Sequence, residues 1–107
     1  MLDVAIYARS SADQSNLLSQ IERSRVYAEK MHADSITVYS DLDAGTMLER
    51  PGLTAMRLAI QQHRHNCVIA VDRDRLCRGA ETLSEVDQEL RSAGCNVVFL
   101  SETDATD

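Results

Sequence analysis

Apolar positions fall at two alternating spacings along this chain, and the alternation divides it into a regular series of elements. Val4-Ala5-Ile6-Tyr7 is a short continuous run of strand formers, ended by a polar stretch over residues 9–16, and it predicts a buried first strand. From Leu17 onward, Leu17, Leu18, Ile21, Ala28 and Met31 recur at helical spacing until His32-Ala33-Asp34 interrupts them, which predicts a long first helix. Ile36-Thr37-Val38-Tyr39 predicts the second strand, and residues 41–50, with Asp-Leu-Asp-Ala-Gly among them, read as a loop. Pro51 suits the first turn of a helix whose apolar stripe is Leu53, Met56 and Ile60, before His63-Arg64-His65-Asn66 breaks the pattern. The third strand is Cys67-Val68-Ile69-Ala70-Val71. A last helix shows one apolar face in Leu83, Val86, Leu90 and Ala93, with Thr82 and Glu85 as a capping box and Gly94 at the glycine position past its end. Residues 96–100 close the series as a fourth strand.

Strands that alternate with helices in this way predict a parallel sheet joined by right-handed crossovers. The expected fold is α/β: a three-layer, mostly parallel sheet of four or slightly more strands with helices on both faces. Its length of 107 residues leaves room for one hydrophobic core, so residues 1–107 are expected to form a single domain. A composition 44% hydrophobic, with one Pro and four Gly, excludes disordered, collagenous and low-complexity classes. No apolar run reaches membrane-spanning length, and Met1-Leu2-Asp3 lacks the basic lead of a secretory signal, so the expectation is a cytoplasmic protein without a membrane partner. Cys67, Cys77 and Cys95 form an odd set without CxxC spacing, as expected of reduced packing residues.

Open parallel sheets place their sites at the carboxyl ends of the strands. The first strand delivers Arg9, Ser10 and Ser11; the second delivers Asp41 and, after its loop, Arg50; the third delivers Asp72, Arg73, Asp74, Arg75 and Arg78. Arginine therefore follows three successive strands. Guanidinium groups converging near a hydroxyl and a few carboxylates suit phosphoryl transfer to serine, because fixed cations stabilise the equatorial oxygens of the transition state. The net charge of −6 means that the chain alone holds DNA weakly, since phosphate neutralisation supplies much of that affinity. Ten of its eleven basic residues are nevertheless arginine, the side chain that pairs with phosphate bidentately. The physical expectation is a phosphodiester pocket.

The same residues carry a family resemblance. Tyr7-Ala8-Arg9-Ser10-Ser11, then Gln20, then Asp41 and Gly45 ahead of Glu49-Arg50-Pro51-Gly52-Leu53, then Asp74-Arg75-Leu76-Cys77-Arg78, resembles the serine recombinases: resolvases, invertases and large serine integrases. It covers essentially the whole chain, with three separated motifs in the family's order. The resemblance implies a resolvase-like catalytic domain that cuts and rejoins DNA through a covalent 5′-phosphoserine bond, with Ser11 as nucleophile and Arg9, Arg75, Arg78 and Arg50 at the active-site arginine positions. Tyr7, Gln20 and Asp41 match supporting polar positions. Asp74 matches the motif carboxylate and is equally consistent with carrying a proton and with holding Arg75. The implied partners are DNA and further copies of the protein, as dimer or tetramer. No cofactor or metal is implied, because cationic side chains take the part that two metal ions play in many nucleases. The family continues past the last residues into a long helix, so the chain is expected to be truncated before that helix and the DNA-binding region, with weak or no activity of its own.

Each assignment has a rival. Members of the family often carry Gln four residues after the nucleophile; Ser15 stands there, and Gln14 would satisfy the interval if Ser10 were the nucleophile. The spacings to Arg9 and Gln20 favour Ser11. Ser11-Ala12-Asp13-Gln14 is also a capping-box pattern, which alone would make Ser11 a helix cap. Asp74, Arg75 and Arg78 read alone as a solvated loop of local ion pairs. His63, His65 and Cys67 have a hint of metal spacing without an identifiable further ligand. The competing function is a non-catalytic remnant, or a dimerisation or regulatory module that retains the recombinase fold.

Overall fold

A computed structural model describes residues 1–11, 14–42, 50–77 and 79–103. Four strands, β1 (Asp3–Ser10), β2 (Ser35–Leu42), β3 (Cys67–Ala70) and β4 (Asn96–Phe99), form one sheet in the order β2-β1-β3-β4. All three pairings are parallel, with Val4 beside both Ile36 and Cys67, and Cys67 beside Asn96. The connecting helices are α1 (Gln14–Lys30), α2 (Pro51–Gln61), the single turn α3 (Arg73–Leu76) and α4 (Ala80–Ser92), and a 3-10 turn covers Leu100–Glu102. Among the described residues no helix is long and apolar enough to cross a membrane.

Two apolar layers sandwich the sheet, as alternation of side chains along a strand requires. On one face Val4, Ile6, Cys67 and Ile69 pack with Ala28 of α1. On the other, Ala5, Tyr7, Val68, Ala70, Val97 and Phe99 pack with residues from the helices: Leu53, Met56 and Ile60 of α2, and Val86 and Leu90 of α4. The expected three layers are therefore present, with α1 on one face and α2 and α4 on the other. Connections leave β1 in opposite directions, which makes the β1/β3 boundary the topological switch point where such sheets bind ligands.

Several elements differ from their sequence reading. β1 runs three residues past Tyr7 through the polar Arg9 and Ser10, both of which are buried and pair with Asp41 and Leu42 of β2. Thr82 is not a helix cap: α4 begins at Ala80 behind Gly79, whose φ of 87° lies in the left-handed region open to glycine. Gly94, at φ 84°, holds the expected position past the end of α4. Leu18 is exposed rather than part of the α1 stripe, whose buried positions are Leu17, Gln20, Ser24 and Ala28. All three cysteines are free and buried, in keeping with packing roles.

Candidate active site

The carboxyl end of β1 is assembled around buried polar side chains. Arg9, 1% exposed, is fixed through its backbone by Gln20 of α1, whose carboxamide accepts from the Arg9 N–H at 3.2 Å and donates to the Arg9 carbonyl at 2.8 Å. Gln20 thus does what a neighbouring strand would do, and it lets a polar residue sit in a central strand without an unmet backbone group. Ser11 follows directly and is exposed at this end of the sheet. The described part of α1 runs from Gln14, and the capping-box reading of Ser11 turns on residues 12 and 13, which lie outside the described residues.

Asp41, at the end of β2, organises the next element. Its carboxylate accepts from the backbone N–H groups of Gly52 at 2.8 Å and Leu53 at 2.9 Å and from the Tyr7 hydroxyl at 2.7 Å. An anion at the N-terminus of α2 satisfies orphan N–H groups and meets the positive end of the helix dipole. The helix comes so close to β2 that a Cβ on Gly52 would collide with the Ser40 carbonyl group and lie 2.9 Å from Asp41 Oδ2. Only glycine fits. Arg50, which precedes α2, is thereby aimed inward: it is 0% exposed, donates from Nη2 to the Leu76 carbonyl at 2.7 Å, and lies 5.4 Å from the centroid of the Tyr7 ring. Its Nε and Nη1 are buried without hydrogen-bond partners.

The third contribution comes from α3, at the end of β3. Asp72 caps this turn by accepting from the Arg75 N–H at 2.9 Å, and the turn then locks to β1 in both directions. Arg9 Nη2 donates to the Asp74 carbonyl at 3.1 Å and approaches the Asp74 carboxylate at 3.5 Å, while Arg75 Nη1 donates to the Arg9 carbonyl at 3.1 Å. Cys77 is buried beside these cations. Burial pushes its thiol up from the ordinary value, and Arg50, Arg57 and Arg9 pull the other way. It remains a protonated packing residue at neutral pH.

The structure therefore brings Tyr7, Arg9, Gln20, Asp41, Arg50, Asp74 and Arg75 into one connected group at the switch point beside Ser11. Arg78, Gly45 and Glu49 lie outside the described residues. Sequence reasoning missed that Gly52 is sterically required and that residues 73–76 form a helix. Gly52 in Arg-Pro-Gly-Leu was the visible signal for the first; four residues are too few for a periodic signal of the second. Among the described residues no cluster of His, Cys, Asp and Glu has the arrangement of a metal site, and the His63/His65/Cys67 spacing does not form one.

Comparison with known proteins agrees with this geometry. A family model described as Resolvase, N terminal domain matches residues 4–107. The N-terminal catalytic domain of TP901-1 integrase superposes with a TM-score of 0.83 at 28% identity, over 94% of this chain and 78% of that one. The C-terminal catalytic domain of ISC1926 TnpA, an IS607-like serine recombinase, gives 0.87 at 20% identity over 99% and 71%, and shares the fold. A resolvase family site-specific recombinase from Streptococcus pneumoniae gives 0.81 at 17% identity over 100% and 78%, again a likeness of fold. No curated protein sequence matches significantly. Because the family match runs almost from end to end and the arginines meet where that fold carries its switch point, the chain belongs to the resolvase N-terminal domain family of serine recombinases.

Proposed function

We propose that this chain is the catalytic domain of a site-specific DNA recombinase and that Ser11 is its nucleophile. The observation that carries the reading is the reciprocal tie between Arg9 at the end of β1 and Asp74 and Arg75 of α3, with the exposed Ser11 two residues after Arg9 in the chain. In the proposed reaction Ser11 Oγ attacks the phosphorus of a DNA phosphodiester, the bond from phosphorus to the 3′-oxygen breaks, and the 5′ end stays on the protein as a phosphoserine ester. The serine proton passes to a base and the departing 3′-oxygen takes one up. Attack by a 3′-hydroxyl of a partner strand reverses the step and frees Ser11. One phosphodiester is exchanged for another, so no energy source is consumed.

Arg9, Arg50, Arg75 and Arg78 supply the positive charge that stabilises the equatorial oxygens, the largest single contribution in reactions of this type. Asp74, its side chain 56% exposed, either carries a proton or orients Arg75. Tyr7, Gln20 and Asp41 act through position, by holding Arg50 and the end of β1. Substrate DNA and a second copy of the chain are the partners this reading requires, with a DNA-binding region and a further helix outside residues 1–107.

One observation favours the competing reading, a non-catalytic module with the recombinase fold. Arg9 and Arg50 are 1% and 0% exposed, and Arg50 is spent on a carbonyl of the protein itself. A single experiment separates the two. Thymidine 5′-(p-nitrophenyl phosphate) offers a phosphodiester with an activated leaving group, so serine attack releases p-nitrophenolate and leaves a thymidine phosphoryl group on the protein. Intact-mass spectrometry is expected to show that adduct on the 107-residue chain and none on Ser11→Ala. A folded protein extended through the following helix and DNA-binding region that still stays unmodified favours the non-catalytic module.

A further inference from the structure

Helix α3 carries Asp74 and Arg75, yet it is a single turn of four residues, too short to hold its own position. Side chains tie it down from two directions. Towards the candidate site, Arg9 donates to the Asp74 carbonyl, Arg75 donates to the Arg9 carbonyl, and Arg50 donates to the Leu76 carbonyl. In the proposed reaction the same three guanidinium groups are shared with the phosphate, so substrate competes with those ties at the moment when α3 has to be in register. On the opposite side, Arg73 forms a two-pronged ion pair with Glu102, through Nε to Oε2 and through Nη2 to Oε1 at 3.0 Å, and its guanidinium lies 4.9 Å from the centroid of the Phe99 ring. Phe99 is buried on β4, and the 3-10 turn bearing Glu102 is pinned just past the end of β3 by the bond from Ser101 N–H to the Val71 carbonyl at 2.9 Å. The anchor is fixed to the sheet and uses no group that the chemistry needs.

We infer that Arg73 is a positioning residue for the phosphodiester reaction: its grip on Glu102 and Phe99 keeps α3, and with it Asp74 and Arg75, in place once substrate competes for the arginines on the other side. The inference rests on the proposed reading of the site. It extends that reading to a residue that touches no reacting atom. Arg73 and Glu102 side chains are 54% and 45% exposed, so the pair adds little to global stability, and its effect belongs to the reacting complex.

The test uses the 107-residue chain with Arg73→Ala, Arg73→Lys and the exchange Arg73→Glu with Glu102→Arg. Single-turnover release of p-nitrophenolate from the thymidine diester is measured across probe concentrations with the 107-residue chain, alongside the backbone amide resonances of Arg9 and Ser10, which flank the carbonyl that accepts from Arg75, and the thermal midpoint. Arg73→Ala is expected to slow the limiting rate by about tenfold to a hundredfold, as a small misplacement does. The concentration dependence and the midpoint stay nearly unchanged, and the Arg9 and Ser10 resonances move. Lysine, lacking the planar fork, restores little, and the exchanged pair restores most. An unchanged rate with unmoved resonances overturns the inference, as does a loss of rate that merely follows a fall in the midpoint. If neither the unaltered chain nor a version extended through the following helix and DNA-binding region releases p-nitrophenolate, the underlying reading fails, while the resonances still decide whether Arg73 positions α3.

Discussion

The two ends of the sheet are built from different chemistry. At the amino end, neutral or exposed groups close backbone hydrogen bonds: Asn66 accepts from the Asp3 N–H at 2.8 Å and donates to the Met1 carbonyl at 2.6 Å, and Asp34 accepts from the Leu2 N–H at 2.6 Å. A buried atom without a partner there is Nδ1 of His65, an imidazole whose Nε2 pairs with the Tyr39 hydroxyl at 2.8 Å. At the carboxyl end two guanidinium groups, Arg9 and Arg50, are buried, and Arg50 keeps two donors without partners. Neutral ties cost little, whereas a buried cation with unmet donors lowers stability compared with an apolar side chain of similar volume. The amino end is what the fold needs to close; the carboxyl end holds charge that the fold alone has no use for.

The contrast is broken most sharply at Arg50. Arg50→Met is expected to leave stability unchanged or to raise it by about 1 kcal/mol, because a buried charge is removed. It is expected to slow adduct formation by roughly 10² to 10³, the cost of losing one transition-state donor. Thermal unfolding and the p-nitrophenolate rate read the two effects separately, and a large loss of stability would instead make Arg50 part of the scaffold.

Gly52→Ala tests whether the scaffold that aims Arg50 is rigid. Its Cβ would meet the Ser40 carbonyl and Asp41, so overpacking and a weakened cap together are expected to cost about 2 to 4 kcal/mol in urea unfolding. A tolerated alanine would mean that α2 can retreat from β2. Tyr7→Phe removes only the hydroxyl bond to Asp41, which still caps α2, and is expected to cost about 1 kcal/mol.

The amino end makes its own prediction through pH. Burial holds the His65 imidazole below its ordinary value of 6.5, opposed by Asp3 and reinforced by Arg64. The unfolded chain therefore takes up this proton at higher pH than the folded one, so the stability due to neutral His65 is complete above about pH 6.5 and is lost as the pH falls through its lowered folded value. Urea midpoints measured from pH 8 to pH 5 are expected to fall on the acid side, with a shallower fall in His65→Gln. Equal slopes in the two proteins would place the acid sensitivity elsewhere.

Hydrophobic spacing alone foretold four strands, three helices and their alternation, because those elements bury whole faces and advertise it. Strand ends then located Arg9, Arg50, Asp74 and Arg75. What escaped has long-range causes. Nothing local marks Arg9 and Ser10 as strand; they pair with Asp41 and Leu42 of β2, while Gln20, eleven residues beyond Arg9, completes the hydrogen bonding of the Arg9 backbone. Asp41 read as a supporting polar residue, and only the approach of Gly52 reveals it as the cap of α2. Arg73 stood in the same charged string as Arg75, yet the two point in opposite directions, one to Glu102 and the other to the Arg9 carbonyl. A helix of one turn has no period from which to read which way its side chains face.

The most direct measurement is the position of the covalent bond itself. The chain is to be reacted with the thymidine diester, digested, and mapped by tandem mass spectrometry in parallel for the unaltered protein, Ser10→Ala and Ser11→Ala. A thymidine phosphoryl group on Ser11, retained in Ser10→Ala and absent from Ser11→Ala, is the predicted result. An adduct that survives Ser11→Ala and disappears in Ser10→Ala would contradict the account and move the nucleophile one residue back, into the buried end of β1.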